Sequence, residues 1–174
     1  MEFKGASFLY TLAGLMVTFA GFSALLLIIR QAAGARLSAL DRFLARTVVG
    51  HLFVLTAGAL LPALLDLYDI PQAWVWKASA VLFGLPMLAL LVTYPRRRMA
   101  ATGKPPPPLV RTTLVWLGSM SLVATIVYVL GNFGHAAAVY VTALTINFFT
   151  HALSFVIALE VILRQPTDVP LESG

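Results

Sequence analysis

The sequence predicts an all-α, polytopic membrane protein of five transmembrane helices in one bundle, and three observations predict it. Five apolar runs, each bounded by turn or charged residues, account for most of the 174 residues. Hydrophobic residues make up 60 % of the chain and charged residues 11 %, against roughly a quarter charged in a typical soluble domain. The basic residues, finally, collect on alternate connections between the runs. A bilayer's hydrocarbon core of about 30 Å takes roughly 20 apolar residues in a helix, the conformation that satisfies every backbone N–H and C=O without water. The expected helices are 8–29, 39–67, 74–94, 111–131 and 136–163, in a single domain spanning 1–174.

The first span, 8–29, is longer than the roughly 7–15 residues of a signal peptide's apolar region, and it reads as a retained anchor. Ser7, Thr11, Gly14, Thr18 and Gly21 form a ridge of small residues along it. Gly14, Thr18 and Gly21 are the expected packing positions, where a helix of the same chain or of a second copy approaches closely. The second span opens at Ser38-Ala39-Leu40-Asp41, a capping box. Arg42 and Arg46 follow one turn apart, at the depth of lipid headgroups. Pro62 is expected to bend this helix, and Gly84-Leu85-Pro86 the third.

The third span closes at Pro95-Arg96-Arg97-Arg98, which is expected to end the helix and pin it to anionic headgroups. Lys104 then leads into Pro105 to Pro108, expected as an extended, solvated basic loop. Short connections at 68–76 and 131–135 make the second and third spans, and the fourth and fifth, antiparallel neighbours. Ser121, Thr125, Tyr128 and Asn132 line one face of the fourth span, and Tyr140, Asn147, His151 and Ser154 one face of the fifth. Polar groups inside a bilayer are costly, so Thr125, Tyr128, Asn147, His151 and Ser154 are candidates either for interhelical hydrogen bonds or for a polar path.

Ten basic residues lie around the first and third connections and after the last span, and two on the other side. The positive-inside rule then puts the N-terminus outside and the C-terminus in the cytoplasm. Asp66, Asp69, Tyr68, Trp74 and Trp76 fall on the outer side, the aromatic ones at headgroup depth. The formal charge of +5 is explained by this topology and does not point to nucleic acid, because no basic face interleaves with aromatics. Membrane lipids, including anionic headgroups met by Arg42, Arg46, Arg96, Arg97 and Arg98, are the expected partners, with a homo-oligomer or another membrane protein beside them.

Counting about 1.5 Å per residue from the helix ends puts His51 and His151 at similar depth. Two facing histidines are the minimum for a bis-histidine haem b, or for a proton or metal site, and each is also an ordinary polar helix contact. No resident cofactor is the leading expectation, with haem b on His51 and His151 as the alternative. The chain holds no cysteine, no phosphate-cradling glycine loop and no His-Glu-x-x-His, so a non-enzymatic role is expected.

Thr18-Phe19-Ala20-Gly21-Phe22-Ser23-Ala24-Leu25, followed by Arg30, Leu40-Asp41-Arg42 and Leu61-Pro62, resembles small uncharacterised bacterial inner-membrane proteins of this length. The resemblance covers the first two spans and implies a multi-pass protein of the bacterial inner membrane, with no activity attached. Three functions remain open at this point. The first is a small transporter or channel component with a polar path along the fourth and fifth spans. The second is an assembly or accessory subunit that binds a partner protein, and the third a haem or quinone-linked redox protein.

Overall fold

The computed structural model describes residues 5–32, 34, 37–106, 108, 118, 122, 125, 126, 128 and 134–163, with Ser154 and residues 157–163 described in backbone alone. Four helices are continuous among them: α1 (Ala6–Ala32), α2 (Ala39–Asp66), α3 (Gln72–Thr102) and α4 (Ala136–Leu163), and the described residues include no strand. Each helix is long and apolar enough to cross a membrane, α4 over Ala136–Leu153. The fifth predicted span is α4. The fourth, 111–131, lies largely outside the described residues; its described positions Gly118, Leu122, Thr125, Ile126 and Tyr128 are each helical.

Local chemistry sets the helix ends. At α2 the Ser38 hydroxyl accepts from the Asp41 N–H at 3.1 Å, and the Asp41 carboxylate accepts from the Ser38 N–H at 2.9 Å, the reciprocal capping box that the sequence implies. Arg30, in the last turn of α1, reaches the same carboxylate at 3.3 Å. One buried side chain thus starts one helix and fastens the end of the one before it. Replacing Asp41 by Ala should lower stability by about 1–3 kcal/mol, since a cap and the partner of a half-shielded arginine go together. Thermal unfolding in detergent reads this, and Asp41→Asn, which keeps the cap geometry, should fall less far.

α3 corrects an expectation. Pro95 was expected to end it at Tyr94, yet the helix continues to Thr102. Proline removes one internal hydrogen bond, but arginine and methionine are good helix formers and carry the last turns. The stop comes at Gly103, whose left-handed φ of +67° lets its N–H return to the Met99 carbonyl at 2.8 Å. α2 likewise runs on through Pro62, and α3 through Pro86.

α2 packs against α1, α3 and α4. Its direction is opposite to theirs: Phe43 near its start meets Tyr94 near the end of α3, while Gly58 near its end meets Tyr140 near the start of α4. Arg30, Arg42, Arg46, Arg96, Arg97, Arg98 and Lys104 therefore share one end of the bundle, and Asp66, Asp69, Lys77 and His135 the other. Leu9, Met16, Leu52, Leu55, Phe83 and Met87 are enclosed at the centre. The outward faces are apolar as well, with Phe8, Leu15, Phe22, Phe53, Leu82 and Phe149 exposed. Helices apolar on every side belong in a large core or in lipid.

Close approach occurs at Gly58 on α2 and Gly84 on α3. A Cβ on Gly58 would fall 2.6 Å from the Phe83 ring, and one on Gly84 2.9 Å from Ile126. Around Gly14 and Gly21 nothing comes within 4 Å of such a Cβ. Ser7, Thr11, Gly14, Thr18 and Gly21 all face outward, with the Thr11 and Thr18 hydroxyls donating to carbonyls of their own helix. The expected packing ridge of α1 is thus unused within the described part of the chain. Trp76 also departs from expectation: it is 6 % exposed and stacks near Tyr140, ring centroids 5.7 Å apart, instead of lying at the rim. Trp74 and Tyr68 are exposed as expected, and Lys77 lies over the Trp74 ring at 5.1 Å.

Candidate functional site

The polar residues of α4 recur on one face, and that face meets α2. Tyr140, Asn147 and His151 are all buried. Tyr140 donates its hydroxyl to the Gly58 carbonyl at 2.7 Å. Asn147 donates from Nδ2 to the Ala143 carbonyl one turn earlier at 2.7 Å. Gly118 comes close to the same side chain, since a Cβ there would lie 3.4 Å from Asn147 Oδ1 and 3.1 Å from Leu91.

One turn beyond Asn147 is the centre of the site. His51 on α2 and His151 on α4 face each other with ring centroids 4.5 Å apart and planes tilted by 34°. They are 2 % and 6 % exposed, so the pair is enclosed by protein. Each ring is oriented by its own helix: His51 Nδ1 is 2.7 Å from the Thr47 carbonyl and His151 Nδ1 is 2.8 Å from the Asn147 carbonyl. A carbonyl oxygen only accepts, so each Nδ1 carries the hydrogen. In a neutral imidazole that leaves Nε2 as a lone-pair acceptor. His51 Nε2 is shielded from solvent and has no hydrogen-bond partner.

This arrangement fixes tautomers in the way that metal-ligating histidines are fixed, with the far nitrogen tied to a backbone carbonyl. It does not fit an iron held between the rings. Two imidazoles on opposite sides of one ion, each bonded at about 2 Å, hold their centroids roughly 6 Å apart, whereas these centroids are 4.5 Å apart. Among the described residues no group of three or more His, Cys, Asp or Glu is placed to share a metal ion.

The other predicted positions divide. Thr125 is buried and Tyr128 half-buried; Ser121 and Asn132 lie outside the described residues, and the Ser154 side chain is not described. Arg42, Arg46 and Arg96 are exposed at the basic end, in keeping with contact to a polar surface. Arg97 and Arg98 differ from that expectation. Both are half-buried, with Nε and Nη2 of Arg97 and Nε of Arg98 shielded and without hydrogen-bond partners. Arg98 donates to the Tyr94 hydroxyl at 3.4 Å. Sequence reasoning missed this inward turn. The available signal was the extra helical length past Pro95, which rotates consecutive arginines by about 100° each and sends one back toward the bundle.

In comparisons with known proteins, no family model, no curated protein and no solved structure matches the chain.

Proposed function

We propose that the protein is a small multi-pass integral protein of the bacterial inner membrane, acting as a transporter or channel component whose polar path passes the His51–His151 pair. The observation that carries this reading is the meeting of two enclosed imidazoles from different helices, one turn from the buried Asn147, in an interior whose described residues are mostly apolar. Polar residues at such depth are expensive and face a protein interior or a pathway. Two rings with fixed Nδ1–H bonds are pre-organised to accept a proton or a polar donor at Nε2.

Cysteine accessibility tests it. In sealed vesicles, single cysteines at Thr125, Asn147 and His151 of this naturally cysteine-free chain should react with a membrane-impermeant thiol reagent, while cysteines at the outward Phe149 and Leu153 should not. Protection at all three interior positions would sink the path. It would favour a second reading, an accessory subunit whose outward small-residue face on α1, from Ser7 to Gly21, receives a helix of a membrane partner. The open space around Gly14 and Gly21 supports that alternative.

A further inference from the structure

The turn that ends α3 builds a groove at the basic end of the bundle. Gly103 redirects the chain at a left-handed φ of +67°, its N–H returning to the Met99 carbonyl. The Lys104 N–H donates to the Thr102 hydroxyl at 3.2 Å, and the prolines that follow come back beside the helix. Pro105 and Pro106 line, with Pro95, Arg96, Met99 and Ala100, an open groove of about 510 Å³. That volume lies within the range of small-ligand sites, roughly 300–1,000 Å³.

The groove is apolar apart from one charge on its wall. Met99, 47 % exposed, offers a flexible side chain that adapts to an irregular apolar surface. Arg96 is exposed beside it, and Lys104 is exposed where the prolines begin. Asp41 is the carboxylate at this end whose side chain is described. It is 2 % exposed and held by the Ser38 N–H and by Arg30, so it does not answer the charge of Arg96.

These walls select an occupant that is apolar along its length and anionic at one end. An extended peptide fails the first condition. Proline carries no N–H, and the N–H groups of Met99 and Ala100 lie within the helix, so peptide carbonyls laid on these walls would lose water without gaining a donor. An acyl chain has no polar group to leave unpaired, and a phosphate accepts charge-assisted hydrogen bonds from a guanidinium. The groove also begins where the apolar run of α3 gives way to Pro95-Arg96-Arg97-Arg98, the headgroup depth of a helix that spans a bilayer.

We propose that this groove holds one anionic phospholipid, an acyl segment lying against Pro95, Met99 and Pro106 and the phosphate beside Arg96. Such a site goes beyond the diffuse attraction of basic residues to an anionic surface, because it has walls and a stoichiometry. It rests on the reading of the chain as a membrane protein and is independent of the polar path.

The test is native mass spectrometry of the purified full chain in mild detergent, after equal exposure to phosphatidylglycerol and phosphatidylcholine with matched acyl chains. One phosphatidylglycerol per chain should be retained, at least about fivefold over phosphatidylcholine, the preference that a single arginine near the headgroups supplies. Arg96→Gln should bring phosphatidylglycerol down to the phosphatidylcholine level. Ala100→Trp, which fills the groove, should release both lipids. Arg46→Gln, exposed at the same end but outside the groove, should change neither.

Equal retention of the two lipids by the wild-type protein overturns the proposal, a comparison that needs no variant to fold. An equal loss in Arg46→Gln also overturns it, since the general field of the basic end would then suffice. Full retention in Ala100→Trp, or competition by free glycerol phosphate as strong as by the whole lipid, takes the acyl chain out of the groove and has the same result. A polypeptide adduct in place of lipid gives the groove to a protein partner instead. A chain that stays in membranes through an alkaline carbonate wash yet retains no phosphatidylglycerol sinks this proposal alone, whereas a chain washed out by carbonate sinks the membrane reading beneath it.

Discussion

Gly58→Leu is expected to destabilise the bundle by at least about 3 kcal/mol, the upper end of what overpacking costs. A single added Cβ already falls 2.6 Å from Phe83 Cδ2 and 3.0 Å from its Cγ. That ring has nowhere to go, being 1 % exposed and held edge-on to Tyr140 at 5.9 Å between centroids. The larger side chain also separates α2 from α3 and pulls the Gly58 carbonyl from the Tyr140 hydroxyl. Unfolding in detergent by heat or denaturant reads the effect. The same substitution at Gly14, where the space is open, should leave the fold intact and serves as the comparison. A Gly58→Leu protein with a wild-type unfolding midpoint would mean that the α2–α3 contact is looser than described.

Tyr140→Ala should cost about 2–3 kcal/mol. Between helices in lipid the transfer term of a large-to-small change is small, because lipid tails are as apolar as the interior, so what remains is the cavity term and the lost contacts. Tyr140 is fully enclosed and touches Trp76 and Phe83 as well as the Gly58 carbonyl. Tyr140→Phe isolates the hydroxyl and should cost only about 0.6 kcal/mol, within the range for interhelical hydrogen bonds in membranes. Equal losses in the two variants would place the weight on the hydrogen bond and not on the ring.

Much of this was legible beforehand, for reasons specific to each element. Long apolar runs leave the backbone few options, so α1, α2, α3 and α4 lie close to where the hydrophobic pattern puts them. The capping box at Ser38 and Asp41 is a local device, read from four residues. The approach of His51 to His151 follows from depth counting on two antiparallel helices, because rise per residue is nearly constant. Tertiary choices were not legible. A ridge such as Gly14, Thr18 and Gly21 shows where a neighbour fits, not which neighbour arrives, and here the close contact falls at Gly58. Trp76 and Trp74 are two residues apart with the same amphipathic chemistry, yet opposite helix faces send one inward and the other out. Arg97 was read by type as a headgroup anchor, while its surroundings depend on how far α3 continues past Pro95.

The contact between α2 and α4 spans 82 residues at Tyr140 and Gly58, and this sets a clock on biosynthesis. Ribosomes add about 5–20 residues per second, N-terminus first, so α1, α2 and the first turns of α3 exist for seconds before α4 is made. During that interval His51 and the Gly58 carbonyl have no α4 to meet. Early helices are joined by short turns and can pair at once, as sequential hairpins do; the histidine pair has to wait for α4. Slowing translation between Gly134 and His151 should therefore lengthen the life of an intermediate that already has its first hairpins but not its polar centre, and a pulse-chase with a cysteine crosslink between positions 58 and 140 would time its closure.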